Sequence, residues 1–534
     1  MDVVIRQVNG SDAELWQDLL RASMGDDYPD KQVYEPAWAA AQLDLVTGHE
    51  TWVAESDGRL QAGISFLQPA SQTKNPVLNL GRQLFRPESF HDGSAEALLR
   101  RINELGAERR QMIVARVLAS DPQQQLLHEK IGYVCAGFQP FKHLFRLRQG
   151  ALLYVWFAKP DMVPRLPISE SLSQVSELAS AVLDNLKIPN PLSVRDGVTG
   201  YPLHAELQLH EASYNDFALW RLHAQSSSPP TEISSGYNLG LGLLRTSGDA
   251  QVRAVLGKRH NNVVAGLAYL ADDRDRCVRL VDCFSTDDLS MGTLFSHAVK
   301  IAQEQLNAVY VEADILMTAP RLLKTAEQLG FVPVGYLPAF YFNADGHTDV
   351  VKVVKLNLAY SLESAEFTPH ARAIVRIVDQ NFQDQKIGVA IINLLRGLPI
   401  FEGLGDGELR KIARLFSQKL YRPGEKIFNK GDSGNEAYVV MRGQVEIHLE
   451  EKLPPIANVG NGQIFGELAF LDNSPRVAYA VANQASILLV IQRTAFSELV
   501  QREPHLGMMV MRNIASELSM RLRRTNVAAA AVKK

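Results

Sequence analysis

One short segment constrains this 534-residue chain more than any other: Phe465-Gly466-Glu467-Leu468-Ala469-Phe470-Leu471-Asp472-Asn473-Ser474-Pro475-Arg476-Val477-Ala478. Glu467 and Arg476 stand nine positions apart, which in a plain strand is about 30 Å at roughly 3.3 Å per residue. Asp472-Asn473-Ser474-Pro475 is a turn-forming run, so the chain is expected to fold back and bring the two charges together. Gly466 permits close approach of backbone to a ligand. Glu467, Leu468 and Ala469 can open a helical turn whose amides face an anion. Arg476 can present two N–H donors to phosphate oxygens, and Glu467 can accept from a ribose hydroxyl. This combination suits a ribose and a singly charged phosphodiester. The plainer alternative is a hairpin whose Glu and Arg form a surface salt bridge.

The flanks narrow the choice. Glycines recur at Gly424, Gly431, Gly434 and Gly443 with short apolar runs between them, a spacing of turns and strands that suits a small β-roll. The segment resembles the phosphate-binding cassette of the cyclic nucleotide-binding domain, whose pattern is F-G-E-L-A, a variable loop, then P-R-x-A. The resemblance implies that Gly466, Glu467, Leu468, Ala469, Arg476 and Val477 bind the nucleotide. Tyr479 departs from the Thr or Ser often found three places after the Arg. A hydroxyl next to the Arg favours guanine in that family, so Val477 implies cAMP over cGMP.

At this length the chain should hold three or more domains. Its 46% hydrophobic and 21% charged content is that of soluble globular protein. A net charge of −4 gives no general pull toward nucleic acid or membrane. Cys135, Cys277 and Cys283 form no C-x-x-C pair, so neither a metal site nor a disulfide framework is expected, and a reduced cytoplasm is the simplest setting. The start Met-Asp-Val-Val-Ile-Arg reads as no signal peptide. No apolar run approaches the ~18 residues of a membrane span.

Residues 1–160 alternate strands and helices. Strands are expected near 3–8, 51–55, 60–67, 77–85 and 112–118, with helices near 12–20, from 93, and 123–131. This order resembles the GNAT acyltransferase fold, in which a glycine-rich loop at a helix start cradles the pyrophosphate of acyl-CoA. Gly93, Ser94 and Ala95 fit the end of that loop, although Phe90 stands where the family has Gln or Arg; an ordinary helix start is the alternative. Leu127-His128-Glu129-Lys130-Ile131-Gly132-Tyr133 is close to a later signature. His128 takes the place of the Tyr that protonates the departing thiolate. It reads either as a proton donor near neutral pH or as a solvated helix residue.

Pro160, Pro164 and Pro167 mark a linker over 161–200 that carries a helix near 173–186. The pattern then restarts over 201–360, and Leu329-Gly330-Phe331 matches Ile131-Gly132-Tyr133, so an internal duplication is expected. In the second copy Gly292 and Thr293 hold the loop position for CoA. Leu289 and Leu294 depart from the pattern, and Ala326 replaces the Tyr. Glu312 reads either as a general base for an amine or as an edge carboxylate. No His, Cys, Asp or Glu group has metal-ligand spacing.

Residues 361–396 read as a helical connector, and 397–534 as the nucleotide module. Its last helix carries an apolar stripe of Met509, Val510, Ile514, Leu518 and Leu522, which in the family lids the base and often pairs subunits into a homodimer; simple packing on the roll is the alternative. No DNA-reading element is expected after it. The fold class is therefore multidomain α+β: two tandem GNAT-like α/β domains, then a β-roll with flanking helices. The functional expectation is a cyclic-nucleotide-responsive acyltransferase acting on an amine or a protein lysine with acetyl-CoA or another acyl-CoA. The alternative is a non-catalytic regulator whose GNAT-like regions bind a partner.

Overall fold

The computed structural model describes residues 3–532 apart from 27, 29–30, 45–48, 68–76, 110–111, 146, 159–164, 167, 191, 196, 225–231, 234–249, 344–345, 363–365, 452 and 473. The linker prolines Pro160, Pro164 and Pro167 lie outside the described residues, as do the side chains of Leu518 and Leu522. The chain divides into two compact units, Met1–Phe382 and Gln383–Lys534.

The first unit is built on a fourteen-stranded sheet. Its first run of strands is β1 (Val4–Gln7), β2 (His49–Ser56), β3 (Arg59–Leu67), β4 (Val77–Phe85), β5 (Met112–Leu118), β6 (Val134–Leu144) and β7 (Arg148–Trp156). A separate two-stranded ribbon, β8 (Glu170–Ser171) and β9 (Ser193–Val194), follows. The second run is β10 (Gln208–Ser213), β11 (Ala250–Arg259), β12 (Asn262–Asp272), β13 (Cys277–Ser285), β14 (Tyr310–Leu316), β15 (Val332–Asn343) and β16 (Gly346–Leu356).

The spatial order is β1-β2-β3-β4-β5-β7-β6-β15-β16-β14-β13-β12-β11-β10. Each run repeats the other strand for strand. Only β4 with β5, and β13 with β14, pair in parallel within this sheet. Parallel strands buried on both faces read as near-continuous apolar runs. β14 is buried along all seven residues but departs from that rule by carrying Glu312 and Asp314.

Helices α1 (Ala13–Met24), α2 (Pro36–Leu43), α3 (Ser89–Asp92), α4 (Ser94–Glu108), α5 (Pro122–Lys130), α6 (Ser173–Asn185), α7 (Tyr214–Ala224), α8 (Ser290–Lys300) and α9 (Pro320–Gln328) pack on the strands. Strand alternation separates the two faces: Val53 joins the core under α1, while Ala54 joins the larger core under α4. That larger core is continuous across both runs of strands. α10 (Pro369–Arg396) is a single helix within the expected helical connector.

The two runs meet through a pairing of Gly137 on β6 with Gly335 on β15. The approach requires bare backbone. A Cβ on Gly137 would lie 2.4 Å from the Val334 carbonyl oxygen and 2.5 Å from the Gly335 Cα.

The second unit contains α11 (Asp406–Ala413), β17 (Phe416–Tyr421), β18 (Lys426–Phe428), β19 (Glu436–Arg442), β20 (Val445–His448), β21 (Ala457–Val459), β22 (Ile464–Phe465), α12 (Glu467–Asp472), β23 (Tyr479–Ala482), β24 (Ser486–Gln492), α13 (Arg493–Arg502) and α14 (Pro504–Val532). Two four-stranded antiparallel sheets, β17-β24-β19-β22 and β18-β23-β20-β21, form the roll. Tyr438, Val440, Leu488 and Val490 face its interior with Phe428 and Phe465. Ala437, Val439, Leu489 and Ile491 face the other way, against Phe470, Phe496, Leu506, Val510 and Ile514. Val510 and Ile514, from the expected apolar stripe, are thus buried within this unit. Among the described residues no helix is long and apolar enough to cross a membrane.

Replacing Gly137 with Val should push the two runs of the first unit apart and destabilise it by about 1–3 kcal/mol through overpacking. A lowered urea midpoint with an unchanged slope is the expected result; an unchanged midpoint would mean that the seam yields freely.

Candidate functional site

The cassette folds back as its turn residues require. β22 ends at Phe465, and Gly466 turns the chain at φ +75° into α12. After α12 the Ser474 amide donates to Asp472 Oδ1 at 2.9 Å, and Pro475 bridges to Ser433. Arg476 then returns to the start of the segment: its Nη1 donates to the Gly466 carbonyl at 2.8 Å and its Nη2 to the Glu436 carbonyl at 2.5 Å. A side chain at residue 466 would collide with that guanidinium, since a Cβ there would lie 2.8 Å from Nη1. Glycine is therefore required here both for its backbone angle and for space.

Arg476 is buried, with only 4% of its surface exposed. Its Cζ lies 4.3 Å from the Phe428 ring centroid and 5.8 Å from that of Tyr438. Tyr438 stacks on Phe465 at 5.1 Å. The three rings make an aromatic wall around the cation. Composition gave no notice of that wall; only the inward register of β18, β19 and β22 assembles it. The backbone is tied as well: the Arg476 amide donates to the Asp432 carbonyl, and the Arg476 carbonyl accepts from the Gly431 amide, both at 2.8 Å.

Two electrostatic facts stand out. The acceptors on Nη1 and Nη2 are neutral carbonyls, and Arg476 makes no ion pair among the described residues. Its Nε is buried without a hydrogen-bond partner. Burial lowers the Arg476 pKa from its ordinary value, and the nearby Tyr438, Glu436, Asp432 and Glu467 oppose that shift. A buried cation with a spare donor is costly unless a counter-ion completes it.

The other cassette residues divide by exposure. Ala469 is buried, Glu467 is half-buried, and Leu468 and Val477 are exposed. An apolar cavity beside α12 is lined by Glu467, Phe470 and Leu471, by Ala437 and Ile491 of the sheet, and by Val510 and Ile514 of α14. Ala437 and Tyr438 are adjacent on β19 and point to opposite faces, so this cavity and the Arg476 wall flank one sheet. α12 touches both.

The candidate residues of the first unit are placed otherwise. Gly93, at φ +86°, precedes α4, and the Ser94 amide is capped by Asp92 Oδ1 at 2.8 Å. Ser94 and Ala95 are fully buried. Gly292 is covered, whereas Thr293 lines a cavity of about 300 Å³ together with His204, Ser296, His297 and Lys300. A Cβ on Gly292 would lie 2.4 Å from the Pro202 carbonyl, and Thr293 Oγ1 accepts from the Ala205 amide at 2.7 Å. Asp287 Oδ1 accepts from the Leu289 and Ser290 amides at 2.8 Å each. Tyr201 and Pro202 thus lie against Gly292, and the Asp287 carboxylate caps the start of α8.

His128 is neither solvated nor a proton donor near neutral pH. It is fully buried, its Nδ1 is 2.8 Å from the Gln124 carbonyl, and its ring lies edge-on to Tyr133. Burial pushes its pKa down to about 4, with the Gln124 carbonyl opposing.

Glu312 is not an edge carboxylate. It is 1% exposed and accepts from Lys142 Nζ at 2.7 Å, Arg279 Nε at 2.5 Å and Gln139 Nε2 at 3.1 Å. Burial alone would raise its pKa, but Arg279, Lys142 and Lys352 together hold it well below the carboxylate range. Its charge is committed to joining β6 of the first run to β13 and β14 of the second, which removes it from the role of free base. Among the described residues no group of His, Cys, Asp or Glu could hold a metal ion.

With the geometry in view, comparison with known proteins is decisive for one region. Residues 418–503 match the family model of the cyclic nucleotide-binding domain. These residues form a cyclic nucleotide-binding domain. The chain is similar to the Cyclic AMP receptor protein of Thermus thermophilus, 35% identical over 136 residues, covering 25% of this chain and 61% of that protein. It is also similar to a cAMP-dependent protein kinase regulatory subunit of Colletotrichum orbiculare, 31% identical over 108 residues, covering 20% of this chain and 28% of that protein. Among solved structures it resembles the Thermus thermophilus Catabolite Activator Protein at 32% identity, over 25% of this chain and 63% of that one, with a TM-score of 0.23. The chain spans less than two thirds of each of these relatives.

The His128 shift gives a signed prediction. The folded pKa lies below the ordinary value of about 6.5, so between the two the unfolded chain binds more protons and stability falls as pH falls. His128 should cost the first unit about 3 kcal/mol on full titration, beginning near pH 6.5. Replacing His128 with Phe should flatten the stability profile between pH 6.5 and 5; an unchanged slope, measured by urea unfolding, would show that the imidazole is not the group responsible.

Proposed function

We propose that this protein is a cyclic nucleotide sensor with a regulated first unit, and that cAMP is the preferred ligand. The observation that carries the reading is Arg476: a buried, unpaired guanidinium with an unpartnered Nε, pinned over the carbonyl of a left-handed glycine. A cyclic phosphodiester supplies the single negative charge that this arrangement lacks. On binding, its oxygens would exchange with the neutral carbonyl acceptors of Arg476, and Glu467 would accept from the ribose hydroxyl. Gly466, Leu468 and Ala469 contribute the backbone of the turn. Val477 is exposed next to the Arg and carries no hydroxyl for guanine, which supports cAMP over cGMP.

The consequence of binding would pass through α12. Freeing the Gly466 carbonyl from Arg476 alters the start of this short helix, and Phe470 and Leu471 then repack in the apolar cavity against Val510 and Ile514 of α14. A coupling of about 1–3 kcal/mol would change the affinity of a second ligand 5–150-fold.

For the first unit, a non-catalytic regulatory role is the better supported reading. Its strand order, with β4 and β5 parallel and the same pair repeated as β13 and β14, supports a duplicated GNAT-like architecture. The candidate acid and base are sealed, and Gly292 at the second helix start is covered by Tyr201 and Pro202. The start of α4 at Gly93, Ser94 and Ala95 and the cavity beside Thr293 at the start of α8 are the candidate places for an acyl-CoA, and on them rests the second reading, acyl-CoA-dependent transfer to an amine or a protein lysine. A homodimer through α14 and a cytoplasmic setting belong to the same proposal.

Titration calorimetry of the full chain with cAMP should give saturable heat, and Arg476→Glu should remove it, by 100-fold or more in affinity, since both the cation and the paired donors are lost. Retained affinity in that variant would refute the site. Val477→Thr should narrow the preference for cAMP over cGMP; a preference that does not move would place base selection elsewhere. Acetyl-CoA should give no heat in the presence or absence of cAMP. Saturable heat that disappears in Gly93→Val would favour the acyl-transfer reading instead.

A further inference from the structure

The strand β4 carries a feature that neither the nucleotide site nor the sheet seam uses. Its pairing with β3 is interrupted by a bulge: Ile64 faces Gln83 and Phe66 faces Leu80, so Ser65 stands opposite both Gly81 and Arg82. A bulge bends the strand and re-aims a side chain, and such bulges gather beside functional sites. Here it turns Arg82 into the small core under α1. Arg82 is 7% exposed, with its Cζ 5.1 Å from the Trp16 ring centroid and 5.5 Å from that of Tyr28. Trp16 and Tyr28 are 2% and 1% exposed.

The hydrogen bonding of this box is incomplete. Arg82 Nε donates to the Tyr28 hydroxyl at 3.2 Å. Arg82 Nη2 and Trp16 Nε1 are both buried and both lack an acceptor. Arg82 makes no ion pair among the described residues. The other two buried arginines of this unit are answered, Arg86 by Asp18 and Arg279 by Glu312, and half-buried Arg165 by Asp349, while the Nε of half-buried Arg116 also lacks a partner. Asp18, on the same helix as Trp16, is thus already taken by Arg86. Cation–π contacts with two rings hold the guanidinium in place, but they supply no counter-charge and leave the donor edge unused.

We propose that the Arg82–Trp16–Tyr28 box is a binding site for the carboxylate of a small molecule. Three facts specify the class. One cation and one neutral indole donor match a single negative charge, whereas a phosphate dianion calls for more. The Arg82 Nη2 edge has no acceptor, and an edge-on approach to it is the geometry of arginine–carboxylate pairing. Deep burial favours a compact ligand over a chain segment. The inference is independent of the cyclic nucleotide reading, because every residue in it belongs to the first unit.

The test is calorimetric melting of the full chain in sodium acetate and sodium succinate, against sodium chloride of equal ionic strength and inorganic phosphate. A carboxylate should raise the transition temperature of the first unit saturably, beyond chloride. Arg82→Gln should weaken that response about 10- to 100-fold in ligand concentration, as expected for loss of a charged hydrogen bond. Without added anion this variant should melt no lower than the wild type, because an uncompensated charge has left the core. Trp16→Phe keeps a ring and removes the N–H; it should weaken the response by several-fold and provides the reading if Arg82→Gln fails to fold. No carboxylate response in the wild type, or an undiminished response in Trp16→Phe or in a folded Arg82→Gln, would overturn the proposal. A response to phosphate alone would overturn the carboxylate assignment.

Discussion

A single guanidinium holds the cassette of the second unit together. Arg476 ties the β22–α12 junction through the Gly466 carbonyl, β19 through the Glu436 carbonyl, and the turn at 431–432 through its own amide and carbonyl. These are three separate stretches of chain. In a buried setting the charge strengthens each of these hydrogen bonds, yet neutral acceptors leave it uncompensated. The same residue therefore organises the segment and leaves it a counter-ion short. A phosphodiester bound there would supply the missing counter-charge and compete with the carbonyls that now hold the guanidinium.

The first unit solves a related problem differently. There a carboxylate, Glu312, is the buried centre, and it is answered in full by Lys142, Arg279 and Gln139. Breaking one side of such a cluster leaves an unpaired buried charge, so its members lock together. Beside it, Gly137 and Gly335 let the two runs of strands approach at backbone distance. Charge and small size thus act at one seam: the glycines permit contact, and the ion pairs fix its register. Arg82 stands outside this economy, buried in aromatic surroundings without a carboxylate.

The nucleotide cassette was legible because its chemistry is local. Gly466, the turn at 472–475 and Arg476 lie within one short stretch, and backbone preferences alone fold it back. Most strands of the first unit were legible for the same reason, since short β-prone apolar runs such as 77–85 and 112–118 need no tertiary information. The candidate residues of that unit were not. His128 looked solvated because it sits among polar residues on α5, but Tyr133 and Tyr154 arrive from later elements to bury it. Glu312 looked like an edge carboxylate because its cationic partners come from β6 and β13, far away in sequence. Gly292 kept a phosphate-loop spacing, but Tyr201 and Pro202, a long way upstream, lie across it.

By itself the sequence determined the ligand chemistry of the second unit: one glycine, one carboxylate and one arginine at fixed spacing, between turns that bring them together. It also determined the alternation of elements in the first unit, because local periodicity and punctuation set where strands and helices form. Only the tertiary structure decided which charges are free. Burial and pairing depend on residues tens to hundreds of positions away, and those distances turned Glu312 into a structural ion-pair centre, silenced His128, and left Arg476 and Arg82 as buried cations without a counter-charge.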